Sequence, residues 1–139
     1  MGAICRTAEA AGVSKIYLTG YTPAPVDQFG RVNQKIAKTA LGAEKILKWE
    51  KVEDIFELLA RLSDANYQLL ALEQDERALD YKKVKLKTNT AVIVGNEVTG
   101  IEPAVLAECD QIAEIPMRGR KESLNVAVAM GIALFRWLE

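Results

Sequence analysis

Histidine is absent from the 139 residues. That removes every histidine-based catalytic triad and most zinc sites, and leaves proton transfer to other groups. Cysteine occurs only twice, as Cys5 and Cys109. So placed, the two form neither a CxxC pair nor a disulfide framework, and they read as small buried hydrophobes of a reducing compartment. No charged-then-apolar secretory leader opens the chain. The longest apolar stretch, from Val126 to Phe135, is far short of the roughly 20 residues a membrane span needs. A cytoplasmic protein with no membrane association is therefore expected. Charge of one sign is lacking too: 18 Lys and Arg face 19 Asp and Glu, for a net charge of −1. Bulk electrostatics thus gives no sign of polyanion binding. The phosphate-cradling patterns GxxxxGKS and GxGxxG are missing, which weakens a flavodoxin-like nucleotide-binding reading.

What is present is an ordinary globular composition, 50% hydrophobic and 27% charged, in a length that suits one domain over residues 1–139. Helical signals cover Gly2–Ala11, stopped by Gly12, then Val52–Ala65, Pro103–Cys109 and Leu124–Leu138. Strands are predicted at Val13–Leu18, Tyr67–Leu72, Ala91–Val94 and Gln111–Ile115, and a long loop at Gly20–Asn33 carries Pro23, Pro25 and Gly30. The alternation predicts an α/β fold, a mostly parallel sheet with helices on both faces. The last helix is apolar on nearly every side, so it is expected to be buried all round, partly against a second subunit. Basic residues gather locally at Lys82, Lys83, Lys85 and Lys87, at Arg118, Arg120 and Lys121, and at Arg31, Lys35 and Lys38. Each group reads equally as a solvated face or as a phosphate contact.

Three segments place Gly and polar residues where strands end. In Val94–Ile101 (VGNEVTGI), Gly95 permits close backbone approach and Gly100 a sharp reversal, at a carboxyl edge of the kind that binds ligands in parallel sheets. A plain Gly-rich strand-to-helix turn would look the same. In Ile115–Met130 (IPMRGRKESLNVAVAM), Ser123 reads as the cap of the last helix. Asn125 reads as a buried amide needing a partner, for which Glu97 is a candidate. In the first helix Arg6 stands among small and apolar residues, where it is either a surface group or a functional one.

Together these segments resemble the SpoU methyltransferases. GNEVTGI is similar to the family's second motif, IPMRGRKESLNVAVAMGIALF to its third, and GAICRTAEAAGV to the body of its first. KTALGAEK, Lys38 to Lys45, is similar to the segment before its middle helix. The resemblance spans essentially the whole chain with the motifs in order.

It implies the SPOUT fold, with a deep trefoil knot at the carboxy-terminal end, and transfer of a methyl group from S-adenosylmethionine to an RNA ribose 2′-hydroxyl, without a metal. Cofactor contacts are implied at Leu72, Gly95, Asn96, Gly100, Ile115, Met117, Ser123 and Leu124. Arg6, Glu97, Asn125 and Ser123 are implied as the catalytic set. The product would be S-adenosylhomocysteine, and the protein a homodimer through the last helix. The family's first motif normally opens with Asn, one residue and Gly after a strand, whereas here Met1 directly precedes Gly2. The expectation is a domain lacking that strand and Asn, with no appended RNA-binding domain. tRNA is then favoured over rRNA, and a catalytically weak or inactive cofactor- or RNA-binding homologue is the alternative.

Overall fold

The computed structural model describes residues 2–20, 24–26, 29–96, 98–120 and 123–139, with the backbone but not the side chain of Glu44. Pro23, Glu97 and Lys121, singled out above, lie outside the described residues. The chain divides into two compact units, Met1–Ile55 and Phe56–Glu139.

In the first unit, helix α1 (Gly2–Ala11) ends where Gly12 turns left-handed at φ +85°. Its buried small face, with Cys5, packs against Ile36, Ala40 and Ala43, which belong to α2 (Gln34–Ala40) and α3 (Ala43–Ile46). The fit is close: a Cβ on Gly2 would stand 2.5 Å from the Ile36 carbonyl oxygen. Asn33 starts α2 by accepting the N–H groups of Lys35 and Ile36 at its Oδ1, an ordinary N-cap. Strand β1 (Lys15–Thr19) pairs in parallel with β2 (Lys48–Val52), Lys15 opposite Lys48 and Thr19 opposite Val52. Across this pair Lys15 Nζ donates to Glu50 Oε1 at 2.9 Å, and that hydrogen bond raises the lysine's pKa.

This unit corrects the sequence reading twice. The predicted helix over Val52–Ala65 begins only at Ile55, because Val52 is the last residue of β2 and its backbone is committed to β1. The stretch after the long loop, left without elements, holds two short helices and a strand.

The second unit opens in α4 (Ile55–Asp64), which buries Leu58, Leu59 and Leu62. Strands β3 (Gln68–Leu72), β4 (Leu79–Asp80), β5 (Thr90–Ile93) and β6 (Gln111–Glu114) form an all-parallel sheet in the order β4-β6-β3-β5. β3 lies inside and is buried at every residue, as a near-continuous apolar run should be. Leu70 and Ala113 are fully buried in the core with Leu72, Val84 and Ala133. The buried Gln68 is satisfied: its side chain meets Thr90 Oγ1, the Lys87 N–H and Gln111 Oε1.

Helix α5 (Pro103–Glu108) starts on a proline, which has no N–H to leave unpaired in a first turn. Helix α6 (Val126–Trp137) starts two residues later than predicted. Its cap is Asn125, not Ser123: Asn125 Oδ1 accepts from Ala127 N at 2.9 Å and Val128 N at 3.4 Å. The amide expected to be buried is therefore exposed, and capping accounts for it. Within one chain α6 turns Met130, Ala133 and Leu134 to the core and leaves Val128, Ile132 and Phe135 exposed.

Candidate functional site at the carboxyl edge of the sheet

Because β3, β5 and β6 run in parallel, the segments that follow them leave the sheet at one edge. There they enclose a cavity of about 490 Å³, within the range of small-molecule and cofactor sites. Its wall takes Leu72 to Asp75 after β3, Gly95 to Ile101 after β5 (Glu97 aside), and Glu114, Ile115, Met117, Ser123 and Leu124 from β6 and the following loop. Val126 and Ala129 of α6 and Leu106 of α5 complete it.

The β5 loop is a tight turn built by its own residues. Asn96 Oδ1 accepts the N–H of Val98 at 2.7 Å, and the Asn96 carbonyl accepts that of Gly100 at 2.8 Å. Gly100 sits at φ +70°, a left-handed conformation that favours glycine. Gly95 is needed for a different reason from the one read in the sequence. A Cβ there would collide with the Gly100 carbonyl carbon and stand 2.5 Å from Ile101 N, so the close approach is to the loop's own backbone.

Glu73 locks this turn from the neighbouring strand. Its Oε2 accepts the Ile101 N–H at 2.9 Å, and the carboxylate lies so near Gly100 that a Cβ would stand 2.5 Å from Oε2. The sequence reading missed Glu73, although its position directly after β3 at the ligand-binding edge was a usable signal. Asp75 and Glu114 add two more carboxylates to the wall. The Arg77 side chain donates to Asp75 at 2.9 Å and lowers that carboxyl's pKa, keeping it ionised. Apolar Leu72, Ile101, Ile115 and Leu124 alternate with these acids. Such a wall suits a ligand with a flat apolar part and a cationic centre.

Of the residues singled out in the sequence, Leu72, Gly95, Asn96, Gly100, Ile115, Met117, Ser123 and Leu124 all line this cavity. Asn125 stands at the end of the loop that supplies Ser123 and Leu124, as the cap of α6. Arg6 is on the exposed side of α1, in the first unit, and Glu97 lies outside the described residues. Cys5 is buried, and burial pushes the half-buried Cys109 thiol up to about 11.

A parallel sheet with a cavity at its carboxyl edge places the chain among α/β proteins of the kind that bind ligands at that edge. Comparison with known proteins narrows this class. The model of the SpoU rRNA Methylase family matches residues 1–135, and the chain belongs to that family. It is 32% identical over 136 residues to the 23S rRNA (guanosine-2′-O-)-methyltransferase RlmB of Acinetobacter baylyi, covering 97% of this chain and 52% of the relative. It is also 32% identical over 133 residues to the tRNA (guanosine(18)-2′-O)-methyltransferase of Aquifex aeolicus, covering 96% and 60%. The chain thus spans about half to three-fifths of the length of these relatives. A crystal structure of an AdoMet-bound rRNA methyltransferase from Sinorhizobium meliloti aligns with a TM-score of 0.85 at 30% identity, covering 98% of this chain and 49% of that one.

Proposed function

We propose that this chain transfers a methyl group from S-adenosylmethionine to a ribose 2′-hydroxyl of RNA. The observation that carries the reading is a cavity at the sheet edge walled by all eight residues that the family resemblance assigns to the cofactor. Its chemistry fits that ligand. Carboxylates of Glu73, Asp75 and Glu114 complement a sulfonium and an ammonium group, and Leu72, Ile115 and Leu124 offer apolar surface to an adenine ring. Bound there, S-adenosylmethionine supplies a methyl group on a positively charged sulfur and becomes S-adenosylhomocysteine, a displacement that needs no metal.

The protein's own part is alignment and charge stabilisation. The glycine turn and Glu73 fix one wall; the Asn125 cap fixes the start of α6 and with it the loop bearing Ser123 and Leu124. Arg6 is assigned to the ribose oxygen. A guanidinium keeps its proton up to about pH 12, so Arg6 steadies developing negative charge there, while the 2′-hydroxyl proton passes to an RNA phosphate oxygen and on to water. Calorimetry checks the cofactor: S-adenosylmethionine and S-adenosylhomocysteine are expected to bind at roughly micromolar affinity. Absence of heat and of competition at millimolar ligand would remove the assignment.

The carboxy-terminal end of the sheet is read as threaded through a loop into a deep trefoil knot, as the family resemblance implies, with the loops after β5 and β6 in the cavity wall as its knot loops. tRNA is the substrate we favour and rRNA the alternative, relatives of both kinds being similar to the chain. The compartment proposed is the cytoplasm, as the sparse use of cysteine suggests.

A homodimer through α6 is part of the proposal. Val128, Ile132 and Phe135 recur at helical spacing and are 51%, 39% and 53% exposed on the side away from the core. A second copy would cover that stripe, which is too apolar to suit water. Light scattering across a concentration series is expected to give twice the mass of one chain, and Phe135→Asp to halve it. A wild-type monomer at every concentration would count against the dimer.

A further inference from the structure

The segment joining β4 to β5 carries four lysines, Lys82, Lys83, Lys85 and Lys87, and no acidic residue occurs from Tyr81 to Asn96. All four are exposed, and among the described residues none of them is in an ion pair. In a chain of net charge −1, this local excess of positive charge has no ion-pair partner among the described residues.

The backbone beneath it, by contrast, is pinned along its length. Trp137 Nε1 donates to the Tyr81 carbonyl at 2.8 Å, and Asp80 caps the 3₁₀ turn Tyr81–Lys83 by accepting the Lys82 N–H at 2.9 Å. Val84 is buried in the core and Leu86 packs on it. At the far end Lys87 N donates to the buried Gln68, and the Lys87 carbonyl accepts from Thr90 Oγ1 at 2.8 Å. Val84 is extended, and Val84 and Leu86 are turned inward, while Lys83, Lys85 and Lys87 on either side of them are exposed, so the three lysines share the outer face of the segment. The ridge also has a direction. It begins at the carboxyl edge, where Asp80 is in register with the cavity-lining Glu114, and runs to the amino edge, where Gln68 pairs with Thr90.

We infer that this lysine ridge is a docking strip for the RNA phosphodiester backbone, leading substrate away from the carboxyl edge that holds the cavity. The inference rests on the reading of the protein as an RNA methyltransferase. Ammonium groups in a row, on a backbone held at both ends, follow a row of phosphates without reading bases. The strip therefore contributes affinity and register, not sequence preference.

The test is fluorescence anisotropy with a labelled unmodified tRNA transcript at several salt concentrations, comparing wild type with Lys83→Gln/Lys85→Gln/Lys87→Gln. Neutralising three phosphate contacts should lower affinity about tenfold or more and reduce the log–log salt slope by about two to three. S-adenosylhomocysteine affinity and melting temperature should not move, and the triple Lys→Arg variant should keep the wild-type slope. An unchanged affinity and slope in the Gln variant, with wild type binding RNA, overturns the strip alone. Loss of binding to phosphatidylserine vesicles with RNA affinity intact also overturns it, in favour of a membrane surface. Wild type that binds S-adenosylhomocysteine but no RNA overturns the strip and the RNA reading together.

Discussion

Arg6→Lys is expected to slow methyl transfer about a hundredfold while leaving the fold and cofactor affinity as they are. The fold should survive because α1 is held by Cys5 and Ala8 on its buried face, whereas Arg6 is exposed. The cofactor should bind as before because the cavity wall is made of residues after β3, β5 and β6, all in the other unit. The rate should fall because lysine keeps the charge but loses the planar fork that can hold an oxygen in a fixed place. Single-turnover reactions with labelled cofactor and unmodified RNA supply the rate. Wild-type turnover in Arg6→Lys would make Arg6 a surface residue and send the search for the oxyanion-stabilising group elsewhere.

Gly95→Ala should act at the other end of the chemistry, on the site itself. The added methyl would meet the Gly100 carbonyl carbon and Ile101 N, both backbone, so no side chain can swing away. Relief requires opening the Asn96–Gly100 turn and the Glu73–Ile101 hydrogen bond. Overpacking of this kind costs about 1–3 kcal/mol, and here the strain falls on the loop that forms the cavity wall. Cofactor affinity is expected to drop by about a hundredfold, as it would on losing about 3 kcal/mol, with a lower melting temperature. Gly119→Ala is the matching control, since nothing lies within 4 Å of its added carbon and its φ is not in the left-handed region. Equal calorimetric affinity in Gly95→Ala and wild type would mean that the turn does not shape the site.

Much of this site could be read before any coordinates. Gly2–Ala11 matched its helix because its stop signal, Gly12, is a backbone requirement independent of tertiary context. The three principal strands of the second unit were legible because each is a short apolar run closed by a breaker or a polar residue. β2 escaped because KWEKV alternates charged and half-buried residues and so lacks an apolar run; its strand character comes from pairing with β1. α2 and α3 escaped because they are short and are separated by left-handed Leu41 and Gly42. Ser123 and Asn125 are both good caps two residues apart, and sequence alone gives no reason to prefer one. Glu73 could be placed at the ligand-binding edge by its position after β3, but not its bond to the Ile101 N–H, which lies 28 residues further along the chain.

The most direct measurement is the position of the transferred methyl group. RNA from cells lacking the gene is incubated with the protein and S-adenosylmethionine carrying a labelled methyl, then hydrolysed in alkali. A 2′-O-methyl group removes the hydroxyl that attacks the adjacent phosphodiester, so that linkage survives. The expected result is label in alkali-resistant dinucleotides, abolished by omitting the protein and strongly reduced in Arg6→Lys. Label released in mononucleotides would place the methyl on a base, and no transfer at all from a chain that binds the cofactor would make it a binding homologue without turnover; either result would contradict the ribose methyltransferase assignment.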